Sequence, residues 1–186
     1  MNLKLFNKLM EQPPAQHPSE WWAFLEICRS YLRKHPIENP IVVELGVYEN
    51  KQKRFYEQFL GAEHIGIDKR SKRCTPEIVG DTHSPEILKA LKKKLKGKPI
   101  NILFIDASHW YESVKKDFEM YSPLCDDIIA FHDTELGRNR RKGANRRVWK
   151  FWDELKAGAS IGNKKHEDFS FVSLKGGMGT GVMIRK

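Results

Sequence analysis

Apolar residues fall along the chain in short, nearly unbroken runs separated by amphipathic stretches. Residues 41–48, IVVELGVY, form a β-branched apolar run after Pro40. HIGID at 64–68 and EIVGD at 77–81 repeat the pattern more briefly, and NILFIDA at 101–107 and DIIAFHD at 127–133 are its clearest examples. Runs of this length without polar alternation predict strands buried on both faces, as in a parallel sheet. FSFVSL at 169–174 and GTGVMIR at 179–185 flank a Gly-rich turn with no helical stretch between them. That spacing predicts an antiparallel hairpin at the sheet edge.

Helical periodicity fills the intervals. Ser19 is expected to cap a helix whose apolar face is Trp21, Phe24, Leu25, Cys28 and Leu32. Ser84-Pro85 is a strong start, a cap followed by Pro at the first helical position, with Ile87, Leu88, Leu91 and Leu95 on one face. Val114, Phe118 and Tyr121 make a third stripe, and Val148, Phe151, Trp152 and Leu155 a fourth. The interval between Gly46 and Gly61 also reads as helix, around Phe55, Tyr56 and Leu60. Strand–helix alternation closed by a hairpin predicts an α/β fold: a Rossmann-like, mostly parallel seven-stranded sheet with helices on both faces and a C-terminal antiparallel hairpin. The 186 residues suit one domain, with a variable N-terminal helical region at 1–37 and the core at 38–186.

Composition narrows the class. At 40% apolar residues the chain is not disordered. No apolar stretch approaches the roughly 20 residues that span a bilayer, and lysines interrupt MNLKLFNKLM at the N-terminus. No membrane partner is expected. Cys28, Cys74 and Cys125 are few and widely spaced, against a disulfide scaffold or a cysteine zinc site. The expectation is a soluble cytoplasmic protein; a homo-oligomer stays open.

Open α/β sheets bind ligands beyond the carboxyl ends of their strands. There the first run delivers Glu44 and Gly46, the second Asp68, the third Gly80, Asp81 and Thr82, the fourth Asp106 with His109, and the fifth His132 and Asp133. Each has an ordinary structural reading: a strand-ending Asp is often a helix cap, and a lone His is more often hydrogen-bonded surface than chemistry. Five strands placing polar groups on one rim weaken those readings. A glycine turn after the first strand and an acid after the second is a nucleoside-binding arrangement, the acid taking ribose hydroxyls. Here the turn is E-x-G-x-x-x-N, without the pyrophosphate-cradling glycines of NAD or FAD sites. Asn50 stands where another Gly is expected and tolerates left-handed backbone.

VVELGVYEN, GIDKR, VGDTHSPE, ILFIDASHWYESVKKDFEMYSPL and IIAFHDT, in that order, resemble the class I S-adenosylmethionine-dependent methyltransferases. The likeness is to the catechol, caffeoyl-CoA and macrocin O-methyltransferase and cephalosporin-hydroxylase-like group, and it covers roughly residues 38–186. The resemblance implies that Glu44 and Gly46 line the methionine part of S-adenosylmethionine. It implies that Asp68 binds the ribose and that Asp81 with Thr82 lies at the adenine. Asp106, which would also border the cofactor, falls with His132 and Asp133 where metal-dependent members hold Mg²⁺. His109 falls at a catalytic position. A divalent metal, Mg²⁺ or Mn²⁺, stays open, because His132 offers an imidazole where Mg²⁺ prefers oxygen. The chemistry is coherent: methyl transfer needs a deprotonated hydroxyl, which a cation stabilises and a histidine can deprotonate.

Lys and Arg number 33 against 24 Asp and Glu, a formal net charge of +9. Lys89, Lys92, Lys93, Lys94, Lys96 and Lys98 lie opposite a leucine stripe and read as a solvated face. Three further basic stretches, ending with Arg138–Arg147, begin just past strand ends. A positive rim there implies a small-molecule acceptor that is itself anionic, such as a phosphorylated sugar. The competing readings are a nucleic-acid methyltransferase using the Arg-rich rim and a protein that binds the cofactor without turnover.

Overall fold

The computed structural model describes residues 3–70, 74–138, 147–158 and 165–186. Seven strands form one sheet: β1 (Ile41–Leu45), β2 (Glu63–Asp68), β3 (Ile78–Val79), β4 (Ile100–Ile105), β5 (Cys125–His132), β6 (Phe169–Leu174) and β7 (Thr180–Arg185). Their order is β3-β2-β1-β4-β5-β7-β6. β1 to β5 are parallel, and the β6–β7 hairpin runs antiparallel against β5. The predicted topology therefore holds. The third strand shrinks to two residues, Ile78–Val79, and the Gly80 N–H makes its last bond to β2, at Asp68 O.

Helices cover both faces. On one side α4 (Pro85–Leu95), α5 (Tyr111–Tyr121) and α6 (Val148–Lys156) pack Leu91, Leu95, Val114, Phe118, Phe151, Trp152 and Leu155 onto Val43, Leu45, Ile105 and Phe131. On the other, α1 (Leu3–Leu9) and α2 (Pro18–Lys34) pack Phe6, Trp21, Phe24 and Leu25 with Phe55 and Tyr56 onto Val42, Ile102, Phe104 and Ile128. Burying two aromatic-rich faces of a central parallel sheet is the main stabilisation, at roughly 25 cal/mol per Å² of apolar surface.

Two helix expectations need correction. Ser19 does not cap α2: His17 is the N-cap and Pro18 opens the helix, because Pro is favoured at the first helical position. Ser19 Oγ instead lies 2.9 Å from His17 Nδ1. The helix expected between Gly46 and Gly61 is only a short α3 (Lys53–Phe55) continued by a π-helical turn, Tyr56–Leu60, which Gly61 ends with a left-handed φ of 67°. Ser84 caps α4 as predicted, accepting from Glu86 N. The six lysines of that stretch are all exposed, as a solvated face should be.

Candidate active site

The parallel strand order sets Asp68, Gly46, Asp106 and His132-Asp133 side by side along one edge. Gly46 is where two strands crowd. Its φ is +84°, and a Cβ there would stand 2.4 Å from the Asp106 carbonyl oxygen and 2.5 Å from Ala107 Cα. Its N–H donates to Ile67 O, while Asp106 N–H donates to Leu45 O, so the end of β1 is tied to both neighbours.

The half of the edge beside β2 is organised by carboxylates. Asp68 Oδ2 accepts from Val47 N and Tyr48 N, each at 3.1 Å, and Oδ1 accepts from Arg70 N at 2.8 Å. Asp68 thus shapes the loop after β1 as well as standing at the expected ribose position. Tyr48 and Asn50 in that loop have φ of 50° and 56°, so Asn50 does supply left-handed backbone in place of Gly. Glu44 sits lower, fully buried, with Oε2 2.9 Å from His64 Nε2; Tyr56 stacks on that imidazole at 5.2 Å. Burial raises the Glu44 carboxyl above its ordinary range, and the His64 bond offsets part of the rise. Asp81 is exposed and accepts from His83 N, which holds its carboxyl below the usual range. Thr82 is buried, and its carbonyl accepts from Tyr121 Oη at 2.8 Å.

The other half of the edge lies at β4 and β5. Side-chain ligand atoms of Asp106, His109 and Asp133 fall within 4.8 Å of one another. His109 Nδ1 is in direct contact with Asp133 Oδ2. His132 is close by but placed differently from the other three. It is buried beneath the carboxylates, with Nδ1 3.3 Å from Asp106 Oδ1 and 3.4 Å from Asp133 Oδ1. Burial disfavours its charged form, but Asp106 and Asp133 outweigh burial and hold the imidazole up at about 9. Asp133 Oδ1 accepts no hydrogen bond beyond its ion-pair contact with His132 Nδ1, and the buried His132 Nε2 makes none.

Several neighbours carry no motif. Gln16 Nε2 donates to Asp106 Oδ2 at 3.0 Å across 90 positions of sequence. Trp110, directly after His109, is 53% exposed. With Tyr111, Arg147 and Lys150 it lines a cleft of about 420 Å³, and Arg147 N–H donates to His109 O. A larger cleft, about 890 Å³, opens at the opposite end of the strands around Pro36–Pro40 and Phe59, remote from these groups. Of the basic rim, residues 71–73 and 139–146 lie outside the described residues. Arg138 turns onto α6, pairing with Asp153 at 2.6 Å and covering the Trp149 ring. Lys53 pairs with Glu77 at 2.6 Å and Lys51 with Glu49 at 2.7 Å.

Residues 43–134 match the family model described as a methyltransferase domain. Over that segment, 92 of the 186 residues, the chain is similar to a methyltransferase domain. The matched segment runs from β1 to the residue after Asp133, so it holds every carboxylate and imidazole of the edge described above. Solved structures share the fold. MycE methyltransferase from the mycinamycin biosynthetic pathway, in complex with Mg, SAH and mycinamycin VI, superposes with a TM-score of 0.65 at 16% identity. That match covers 97% of this chain and 53% of MycE, so the chain spans about half of that protein. The O-methyltransferase TomG from Streptomyces achromogenes, in complex with SAM, gives 0.60 at 12% identity over 98% of this chain and 96% of its own. An O-methyltransferase from Bacillus cereus in complex with SAH gives 0.57 at 14% identity, covering 98% and 97%. Among curated proteins, the uncharacterized y4gI of Sinorhizobium fredii is 38% identical over 60 residues, which is 31% of this chain and 6% of that protein.

Proposed function

We propose that the protein is an S-adenosylmethionine-dependent O-methyltransferase acting on a hydroxyl of a small, anionic acceptor, with a divalent metal assisting. The observation that carries this reading is the convergence of Asp106, His109 and Asp133 within 4.8 Å, next to the glycine turn and Asp68.

The donor set fits a hard divalent cation: two carboxylates with an imidazole nitrogen, one buried carboxylate oxygen accepting no hydrogen bond. Asp106 and Asp133 would hold Mg²⁺ or Mn²⁺, with His132 in its neutral form at the nitrogen position. Such a cation stabilises the oxyanion form of a bound hydroxyl. The chain's own groups do the rest. His109, held by Asp133, takes the acceptor proton; Asp133 fixes the imidazole's orientation. His132 braces both carboxylates from below. Asp68 pins the loop after β1 and offers its outer face to the ribose hydroxyls, and Gly46 lets the ends of β1 and β4 lie close together beside it. Trp110 walls the acceptor cleft, whose lining carries Arg147 and Lys150 against Glu112, a positive balance toward an anionic acceptor even with Lys150 3.8 Å from Glu154.

A nucleic-acid acceptor would require an open basic track along the rim. Among the described rim residues, Lys51, Lys53 and Arg138 are instead paired with carboxylates, which favours the small molecule. The reading is tested by S-adenosylhomocysteine binding in a thermal-shift assay, followed by S-adenosylhomocysteine release with neutral and phosphorylated phenols and sugars, with and without chelator. A flat melting temperature with S-adenosylhomocysteine overturns the cofactor assignment; chelator-insensitive turnover overturns the metal.

A further inference from the structure

Residues 16–20 lie outside the matched segment, yet they reach its reactive carboxylates. Gln16 is 4% exposed; its Nε2 binds Asp106 Oδ2, and its Oε1 is buried without a partner. Glu20, in the first turn of α2, is 2% exposed. Its carboxylate accepts the backbone N–H groups of Gly176 at 2.7 Å, Gly177 at 2.8 Å and Gly179 at 3.1 Å. The far side of that glycine turn holds the end of β5: Thr134 N–H donates to Gly179 O at 3.2 Å and Glu135 N–H to Met178 O at 2.8 Å. The fit is close, for a Cβ on Gly177 would come within 2.7 Å of His17 Cβ, and one on Gly179 within 2.7 Å of Glu135 N.

A hydrogen-bonded path thus runs from Glu20 through the turn to Thr134, the neighbour of Asp133, while the same segment reaches Asp106 through Gln16. The two Asp106 oxygens have separate partners, Gln16 on Oδ2 and His132 on Oδ1. A carboxylate rotates broadly about its last torsion, so fixing it takes donors on both oxygens. We propose that residues 16–20 are a working part of the methyl-transfer site: Gln16 is a positioning residue for Asp106, and Glu20 locks the segment to the turn that holds Asp133 in place. This rests on the metal-assisted reading above. Groups that orient metal ligands typically contribute about 10–100-fold in metal affinity or activity.

The test uses the full chain, Mn²⁺ as probe followed by electron paramagnetic resonance, and amide hydrogen exchange. Gln16→Met keeps the shape and removes the donor. It is expected to weaken Mn²⁺ binding by about 10–100-fold while the melting temperature and S-adenosylhomocysteine affinity stay at wild-type values. Glu20→Gln is expected to speed exchange at Gly176, Gly177 and Gly179 and also at Thr134 and Glu135, and to weaken Mn²⁺ binding. Wild-type Mn²⁺ affinity in Gln16→Met overturns the positioning role, and unchanged protection of those five amides in Glu20→Gln overturns the lock. A wild-type protein that binds no Mn²⁺ refutes the metal-assisted reading and the Gln16 role with it; the exchange measurement then decides the Glu20 lock by itself.

Discussion

Two glycines with the same backbone handedness separate the cost of conformation from the cost of crowding. Gly46 and Gly61 have φ of +84° and +67°. Alanine at either site meets the left-handed penalty of about 1–2 kcal/mol. At Gly61 nothing lies within 4 Å of the added Cβ, so that penalty is the whole cost. At Gly46 the Cβ meets three backbone atoms of Asp106 and Ala107 at 2.4–2.7 Å, none of which can swing aside as a side chain could. The ends of β1 and β4 must part, which adds an overpacking cost of about 1–3 kcal/mol. The Asp106 N–H to Leu45 O bond also goes, at about 1 kcal/mol. Gly46→Ala is therefore expected to lose about 3–6 kcal/mol and Gly61→Ala about 1–2 kcal/mol. At roughly 2–4 °C per kcal/mol for a chain of this size, melting curves should separate the two variants clearly. Urea unfolding of both measures the difference directly. Equal losses would refute the claim that close strand approach, rather than backbone handedness, requires glycine at position 46. Because the displaced atoms belong to Asp106, Gly46→Ala should also lose S-adenosylhomocysteine binding at temperatures where it is still folded, and Gly61→Ala should keep it.

Asp68→Ala removes the acceptor for Val47, Tyr48 and Arg70 N–H together with the proposed ribose contact, so the S-adenosylhomocysteine-induced rise in melting temperature should vanish; a wild-type shift would sink that assignment. His109→Ala should retain the thermal shift and lose turnover, and a variant with wild-type rate would show that His109 is not the base. His132 is held at about 9 in the folded protein, above the ordinary histidine value. Its stabilisation is thus complete below about pH 6.5 and lost as pH rises through about 9, so metal-free wild-type protein should weaken to urea over that window more than His132→Gln does.

The sheet was legible because a strand buried on both faces has to be nearly continuous in β-branched and aromatic residues; IVVEL and INILFI are such runs. The loss of intervening helix before the last strand announced the reversed edge. Helix starts were less legible: Pro18 and Ser19 are adjacent start signals, and only the structure shows that proline opens α2. In the site, motif spacing brought out the strand-end residues but not their partners. Gln16 and Glu20 act across 90 and more than 150 positions, and an isolated Gln or Glu in a helical start carries no periodic signal of such a contact.

His132 and Asp133 show why even a pair read together from the sequence needs the structure. Strand alternation sends neighbouring side chains to opposite faces, and His132 follows Ala130 and Ile128 toward the α2 layer. Asp133 escapes the alternation because it leaves the strand with a φ of +64°, a conformation Asp tolerates better than most residues. That single turn brings its carboxylate back over His132 and against His109. The backbone must be held in that turn, and Thr134 and Glu135 hold it by bonding to the glycine hairpin. The C-terminal hairpin, read from sequence only as an edge of the sheet, is therefore also the support that lets two consecutive residues serve one site.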